Sequence, residues 1–217
     1  MGRLKDHFFD EINDMHRVND EPIEEPSDEE LERWNRELNE VLRPQAEQYI
    51  LNKYKECIDS GHYRNVWNTF EFHSAIWYAS TEILPKLEIQ VVIDGDNNCY
   101  VTTGSAGYVE FGMQPPIGMK LPIKCWIHTH PNMSAYFSGT DWNTIRTWKK
   151  NMQSAIVLGG DRQETNQRMM WTKGEEHTIF FKRGHNMDEI EPASWKTMTG
   201  QTFAPTKQST LDLGEEE

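Results

Sequence analysis

The sequence predicts a mixed α/β domain, on three observations. Runs of period-two alternation lie on both sides of one strongly helical stretch, turn dipeptides separate them, and a helical segment precedes them all. Residues 1–26 are polar and acidic, with Pro22 and Pro26, and read as a flexible lead-in. Ser27-Asp28-Glu29-Glu30 then has the form of a capping box, in which a serine and a glutamate satisfy each other's orphan amides. Leu31, Trp34, Leu38 and Val41 follow at helical spacing. Pro44 is excluded from a helix interior but suits a first turn, so two helices are expected, at about 28–42 and 44–59. The second carries Ala46, Tyr49, Ile50, Tyr54 and Cys57 on one face, and Gly61 closes this helical extension over 27–61. Such an arm either binds a partner or substrate, or packs on the main domain.

The main domain is expected over 62–185. Strands are predicted at Phe70–Ala79, Leu87–Ile93, Cys99–Thr103, Tyr108–Phe111 and Ile123–His128, with turns at Asp94-Gly95 and Gly104-Ser105. A helix at about 141–152 places Trp142, Ile145, Trp148 and Met152 on one face. Further strands follow at Ala155–Leu158, Arg168–Thr172 and Thr178–Lys182, and residues 186–217 read as an acidic, disordered tail.

Composition excludes several classes of function. The 217 residues hold 22 Lys+Arg against 35 Asp+Glu, a net charge of −13 that belongs to the ends of the chain. Residues 1–60 carry 17 acids and 8 bases, residues 186–217 carry 7 and 2, and the middle is near neutral with 11 and 12. No basic stripe exists to neutralise phosphates, so neither nucleic acid nor an anionic membrane is an expected partner. No apolar run approaches the roughly 18 residues of a membrane span, and Met1–Asp10 lacks the apolar core of a signal peptide. Cys57, Cys99 and Cys125 form no close pair, which suits a reducing compartment and a cytoplasmic location.

One segment carries chemistry: Trp126-Ile-His128-Thr-His130-Pro131, followed by Ser138-Gly-Thr-Asp141. Two histidines two apart at a strand end point to the same face, Pro131 ends the strand, and Asp141 arrives in the first turn of the next helix. Two imidazoles and a carboxylate, with a fourth position left for water, form the first shell of a catalytic zinc. A closed structural site would fill that position, commonly with a thiolate, but alternation turns Cys125 to the opposite face. Each part has a plainer reading, since Ser138-x-x-Asp141 is also a capping box. His62, His177 and His185 have no ligand partner at suitable spacing. His73, Trp126, Tyr136 and Phe137 fit either a pocket lining or a packing role.

His-x-His-Pro-x6-Ser-x-x-Asp, at His128, His130, Pro131, Ser138 and Asp141, resembles the signature of the JAMM (MPN+) metalloproteases. The lead-in Pro116-Ile-Gly-Met-Lys120 and the short Phe-Ser-Gly-Thr-Asp form look most like small archaeal members and stand-alone bacterial or phage members. The resemblance spans about residues 66–183 and is specific over 117–141. It implies a JAMM/MPN-like, cytidine-deaminase-like central sheet flanked by helices. It also implies zinc on His128, His130 and Asp141, Ser138 helping to hold the oxyanion, and an upstream glutamate as general base and acid. The implied substrate is a protein with an extended C-terminal tail, such as a ubiquitin-like protein, cut at an isopeptide or peptide bond. The location would be the host cytoplasm if a phage encodes the chain.

Three glutamates upstream of the motif are candidates for the general base and acid, Glu71, Glu82 and Glu88. Glu88 alternates with Leu87 and Ile89 and reads as the wet side of a strand, and Glu82 falls beside Leu84-Pro85 in a turn. Glu71 opens the first strand, and Glu71-Phe-His-Ser74-Ala-Ile76 resembles the family's pattern, with Ser74 where the family usually has glycine. Glu71 is therefore the expected catalytic carboxylate. The substrate tail is expected to add as a strand near 105–120, where Gly104, Gly107, Gly112 and Gly118 make the chain adaptable. A non-catalytic MPN-type scaffold is the alternative. A nucleotide deaminase expects His-x-Glu and Pro-Cys-x-x-Cys, which this chain lacks.

Overall fold

The computed structural model describes residues 26–61, 65–104, 118–160, 165–175 and 178–183, with three short strands beyond them. The lead-in, the strand expected at Tyr108–Phe111, most of the proposed tail-binding edge, and His62, His177 and His185 lie outside the described residues.

Helix α1 (Asp28–Glu37) starts at the Ser27–Glu30 capping box. It does not break before Pro44. The chain widens into a π turn over Leu38–Leu42 and continues as α2 (Arg43–Asp59), with Pro44 in its first turn. A proline has no amide hydrogen and its ring crowds the carbonyl four residues back, so a locally wider turn relieves both problems without a loop. Ala46, Ile50, Tyr54 and Cys57 of α2 are buried, as the helical spacing predicts, and the arm packs against the sheet.

The segment expected as a first strand at Phe70–Ala79 is helix α3 (Phe70–Tyr78), continued by a second π turn over Ala79–Ile83. Thr69 caps it by accepting from the Phe72 amide. Phe72, Ala75, Ile76 and Ala79 are buried, a spacing of three and four that one helix face satisfies and that alternation does not.

The sheet comprises β1 (Ile89–Ile93), β2 (Cys99–Thr103), β3 (Ile123–His130), β4 (Met152–Gly160), β5 (Thr165–Thr172), β6 (Ile179–Arg183) and a short β7 (Ile190–Pro192), in the order β2-β1-β3-β4-β5-β6-β7. Every pair is antiparallel except β3–β4, which is parallel and joined by α4 (Gly139–Trp148). Met152, expected on that helix, begins β4 instead. Within 186–217, expected to be a disordered tail, β7 extends the sheet and β8 (Trp195–Lys196) pairs with β9 (Thr202–Phe203).

The architecture is thus mixed α/β, with helices on both faces of a mixed sheet. One face, through Ile89, Val91, Ile93, Ile127, Ile156 and Leu158, packs on α2 and α3. The other, through Val92, Trp126, Ala155, Val157 and Met169, packs on Ile145 and Trp148 of α4. Burying each such large side chain contributes about 1.5–3 kcal/mol. Among the described residues no helix is long and apolar enough to cross a membrane.

Arg43 ties the arm to the sheet edge. Its guanidinium donates to the carbonyl and hydroxyl of Thr103 and to the carbonyl of Gly104, at the end of β2. Arg43→Ala is expected to lower unfolding free energy by about 1.5–3 kcal/mol in urea titration, the scale of a charged hydrogen bond. Arg43→Lys should recover only part of the loss, because an ammonium cannot reproduce the fork.

Candidate metal centre

His128 and His130 occupy the last turns of β3, on the same face as Trp126, while Thr129 points to the opposite face. The loop from Pro131 to Phe137 returns the chain to Ser138, which caps α4, and Asp141 follows in the first turn. The site therefore lies where a parallel strand ends and the next helix begins, the usual place for a ligand in such sheets.

His128 Nε2 lies 3.1 Å from Asp141 Oδ1, and His130 Nε2 lies 3.8 Å from Asp141 Oδ2. All three donor groups fall within 4.8 Å of one another and all three residues are buried. One ion about 2.0–2.2 Å from each donor would require only small side-chain adjustments. Both ring nitrogens of His128 and Nδ1 of His130 are buried without a well-directed hydrogen bond, although His128 touches Asp141. Leaving such groups unsatisfied costs free energy unless something else engages them. A cation shared with Asp141 is the economical partner for the facing nitrogens. His128, His130 and Asp141 could accordingly hold a metal ion, and Cys125, on the other core face, is turned away from them.

The electrostatics suit cation binding. Burial alone would raise the Asp141 carboxyl, but His128 and two bonds from Ser138 outweigh it and hold the carboxyl down at about 2. The Ser138 amide donates to Asp141 Oδ2 at 2.6 Å, and the Asp141 amide donates to Ser138 Oγ at 3.2 Å. The capping reading of this pair is therefore realised, and it orients the carboxylate. The positive end of α4 favours the same charge. Burial pushes His130 down to about 4, with the charge of His128 adding to the effect, so that its ring is neutral and ready to ligate at neutral pH.

Around this group, Trp126 stacks on His128 with ring centroids 4.5 Å apart and donates Nε1–H to Gln90 Oε1 at 3.0 Å. Phe137 is buried against Trp142 and anchors the loop, whereas Tyr136 is 41% exposed and meets His130 edge-on with ring centroids 4.9 Å apart. His73 has a partner of its own: its Nε2 is 2.8 Å from the Trp67 carbonyl, and burial, then Arg168, pushes it down to about 3.

The three upstream glutamates separate clearly. Glu71 sits in the exposed first turn of α3, near Lys53 and Cys57 of α2, and not at the start of a strand. Glu82 is exposed in the π turn. Glu88, one residue before β1, is only 5% exposed, and its carboxyl is pushed up to about 8 by burial and then by the charge of Asp141. Alternation through Gln90, which pairs with His128, assigns this residue, read as the wet side of a strand, to the same sheet face as the histidines. The pairing of Gln90 with His128 could have indicated this, since it aligns the polar face of β1 with the histidine face of β3.

Gly159 is a second feature the spacing did not single out. It pairs with His130, and a Cβ built there would lie 2.1 Å from the Ala135 amide nitrogen. The ligand-carrying loop crosses β4 at this point, with Gly160 donating to the Met133 carbonyl.

No protein-family model matches the chain, and no curated protein and no solved structure matches it significantly.

Two outcomes are expected. Calorimetric titration should find one zinc or cobalt ion per chain, weakening as acid protonates the imidazoles, and lost in His128→Ala and Asp141→Ala variants that retain native circular dichroism. Gly159→Ala should destabilise the fold by about 1–3 kcal/mol in thermal melts, the cost of overpacking, and weaken metal uptake by displacing the loop that delivers Ser138.

Proposed function

We propose that this chain is a JAMM-type zinc hydrolase that cleaves a peptide or isopeptide bond, after the extended C-terminal tail of a ubiquitin-like or comparable protein. One observation carries the reading: a buried His-His-Asp group, with ring nitrogens lacking hydrogen-bond partners, lies on the sheet face to which alternation through Gln90 also assigns buried Glu88. The motif resemblance supplies the reaction class.

In this reading His128, His130 and Asp141 hold the ion. When bound, zinc supplies a Lewis acid that polarises the scissile carbonyl and makes water acidic enough to attack at neutral pH. The proton-transfer role expected of Glu71 passes to Glu88, because only a carboxyl facing the group can take a proton from the attacking water and return it to the leaving amine. Burial, then the charge of Asp141, raises Glu88 in the metal-free protein, and a divalent ion held by His128, His130 and Asp141 would lower it toward the range a general base needs. Ser138, at the N-terminus of α4, offers a hydroxyl to the developing oxyanion. Trp126 and Phe137 exclude water from the His128 side, while exposed Tyr136 borders the open side where a substrate tail would lie.

The test uses zinc-loaded full chain with lysine-linked diubiquitin and a library of fluorogenic peptide amides. Glu88→Gln should retain one zinc per chain and lose activity by about 10²–10⁴-fold, the usual contribution of general acid–base catalysis. Glu71→Gln should remain within about twofold of wild type, as surface substitutions away from a site usually do. Full activity in Glu88→Gln would remove it from the mechanism, and inactivity of the zinc-loaded wild type on every probe would refute the hydrolase reading.

A further inference from the structure

We propose that Thr129 and Ser80 are positioning residues that hold Glu88 against the metal group, through a closed ring of hydrogen bonds on the far side of the sheet. The inference rests on the role given to Glu88 above. Thr129 lies between the two histidines, and alternation sends its side chain to the opposite sheet face, the one that carries Cys125 and Ile127 into the other core. It is 0% exposed there, as is Ser80 in the π turn after α3. A hydroxyl in such surroundings costs free energy unless both its donor and its acceptor capacity are used.

Both are used, and the proton count leaves one arrangement. Ser80 Oγ donates its single hydrogen to the Leu87 carbonyl at 2.6 Å. The 2.9 Å contact between Ser80 Oγ and Thr129 Oγ1 must then have Thr129 as donor. Thr129 Oγ1 in turn accepts from the Ile89 amide at 2.9 Å. The ring runs Ile89 N–H to Thr129 to Ser80 to the Leu87 carbonyl, and it grips the chain on both sides of Glu88. The carbonyl of Glu88 itself accepts from the Gly104 amide at 2.9 Å.

The location gives the ring its purpose. Backbone register between β1 and β3 ends at Gln90 and His128. One residue further on, the Thr129 side chain replaces the missing backbone acceptor for Ile89. The two strands thus remain locked where their backbones part, at the step between Gln90 and Glu88. A single residue, peptide-bonded to both histidines, therefore sets the distance between the ligand strand and the carboxyl-bearing strand. A purely apolar side chain would satisfy the core around it equally well but could not span the gap.

The experiment uses full-length chain loaded with Co²⁺ and labelled with ¹³C at glutamate side-chain carboxyls, the Glu88 signal being identified by its loss in Glu88→Gln. In wild type that signal should be strongly shifted by the paramagnetic ion. Thr129→Val removes the hydroxyl at nearly constant volume. It should bind one Co²⁺ per chain with an unchanged visible spectrum, while the Glu88 signal moves toward its diamagnetic position, and Thr129→Ser should restore it. Turnover of any cleaved probe should fall about 10–100-fold in kcat, the usual cost of removing a supporting partner at a metal site, with KM unchanged. Should Thr129→Val fail to fold, Ser80→Ala carries the same measurement. An unmoved Glu88 signal, or loss of Co²⁺ along with it, would overturn the proposal, the latter by assigning Thr129 to the histidines. A displaced Glu88 signal in a protein that cleaves no probe would instead leave the positioning role standing and remove the hydrolase reading.

Discussion

The side-chain alternation of β3 is the constraint on which the rest of the site depends. The strand is buried along nearly its whole length, between antiparallel β1 and parallel β4, so both of its faces must match the cores they enter. Trp126, His128 and His130 go to the α4 side, and Cys125, Ile127 and Thr129 to the side of α2 and α3. A slip of one residue would exchange the sets, burying the imidazoles among aliphatic groups and removing the metal donors from Asp141. Hydrogen bonding on both edges makes that slip expensive, and so the ligand geometry is inherited from the sheet.

Buried polarity is handled differently on the two faces. On the α2 and α3 side several groups are matched locally: His73 to the Trp67 carbonyl, Ser154 to the Lys124 carbonyl, and Thr129 and Ser80 to each other, while Arg43 Nε and Trp77 Nε1 are buried without a hydrogen-bond partner among the described residues and have no carboxylate paired with them there. On the α4 side three ring nitrogens lack hydrogen-bond partners, while the neighbouring aspartate is fully charged and held by a helix N-terminus. Such an imbalance next to concentrated negative charge is what distinguishes a site that awaits a cation from a satisfied core. Loop placement adds to it, because the absence of a side chain at Gly159 lets the backbone at Ala135 cross β4 closely enough to bring Ser138 and Asp141 round to the histidines.

The errors of sequence reading have physical causes. Phe70–Ala79 is rich in aromatic and apolar residues, and its first four residues alternate, yet the burial pattern over Phe72, Ala75, Ile76 and Ala79 is helical. Phe70 and Tyr78 lie on the exposed face, so the helix shows little polar contrast between its faces and its period is hard to distinguish from that of a strand. That misreading carried Glu71 with it, since a carboxylate opening a strand beside the motif differs from one in an exposed helical turn. Glu88 was misplaced by the opposite assumption, that the polar face of an alternating strand meets water. Here that face is the histidine side of the sheet, and Glu88 is buried on it.

What the chain dictated locally was therefore considerable: the Ser27 and Ser138 caps, the strand Cys99–Thr103, a strand over Ile123–His128 that in the structure runs on to His130, the apolar face of α2, and the convergence of His128, His130 and Asp141, all of which follow from spacing over short stretches of chain. Short-range order of this kind is set by backbone geometry, which the order of residues specifies directly. Which glutamate faces the histidines, why a threonine stands between them, and why β4 needs Gly159 were decided only when β1 and β4 took their places on either side of β3. Those contacts join residues some 25–50 positions apart, and strand register, which no local pattern encodes, determines which side chains meet.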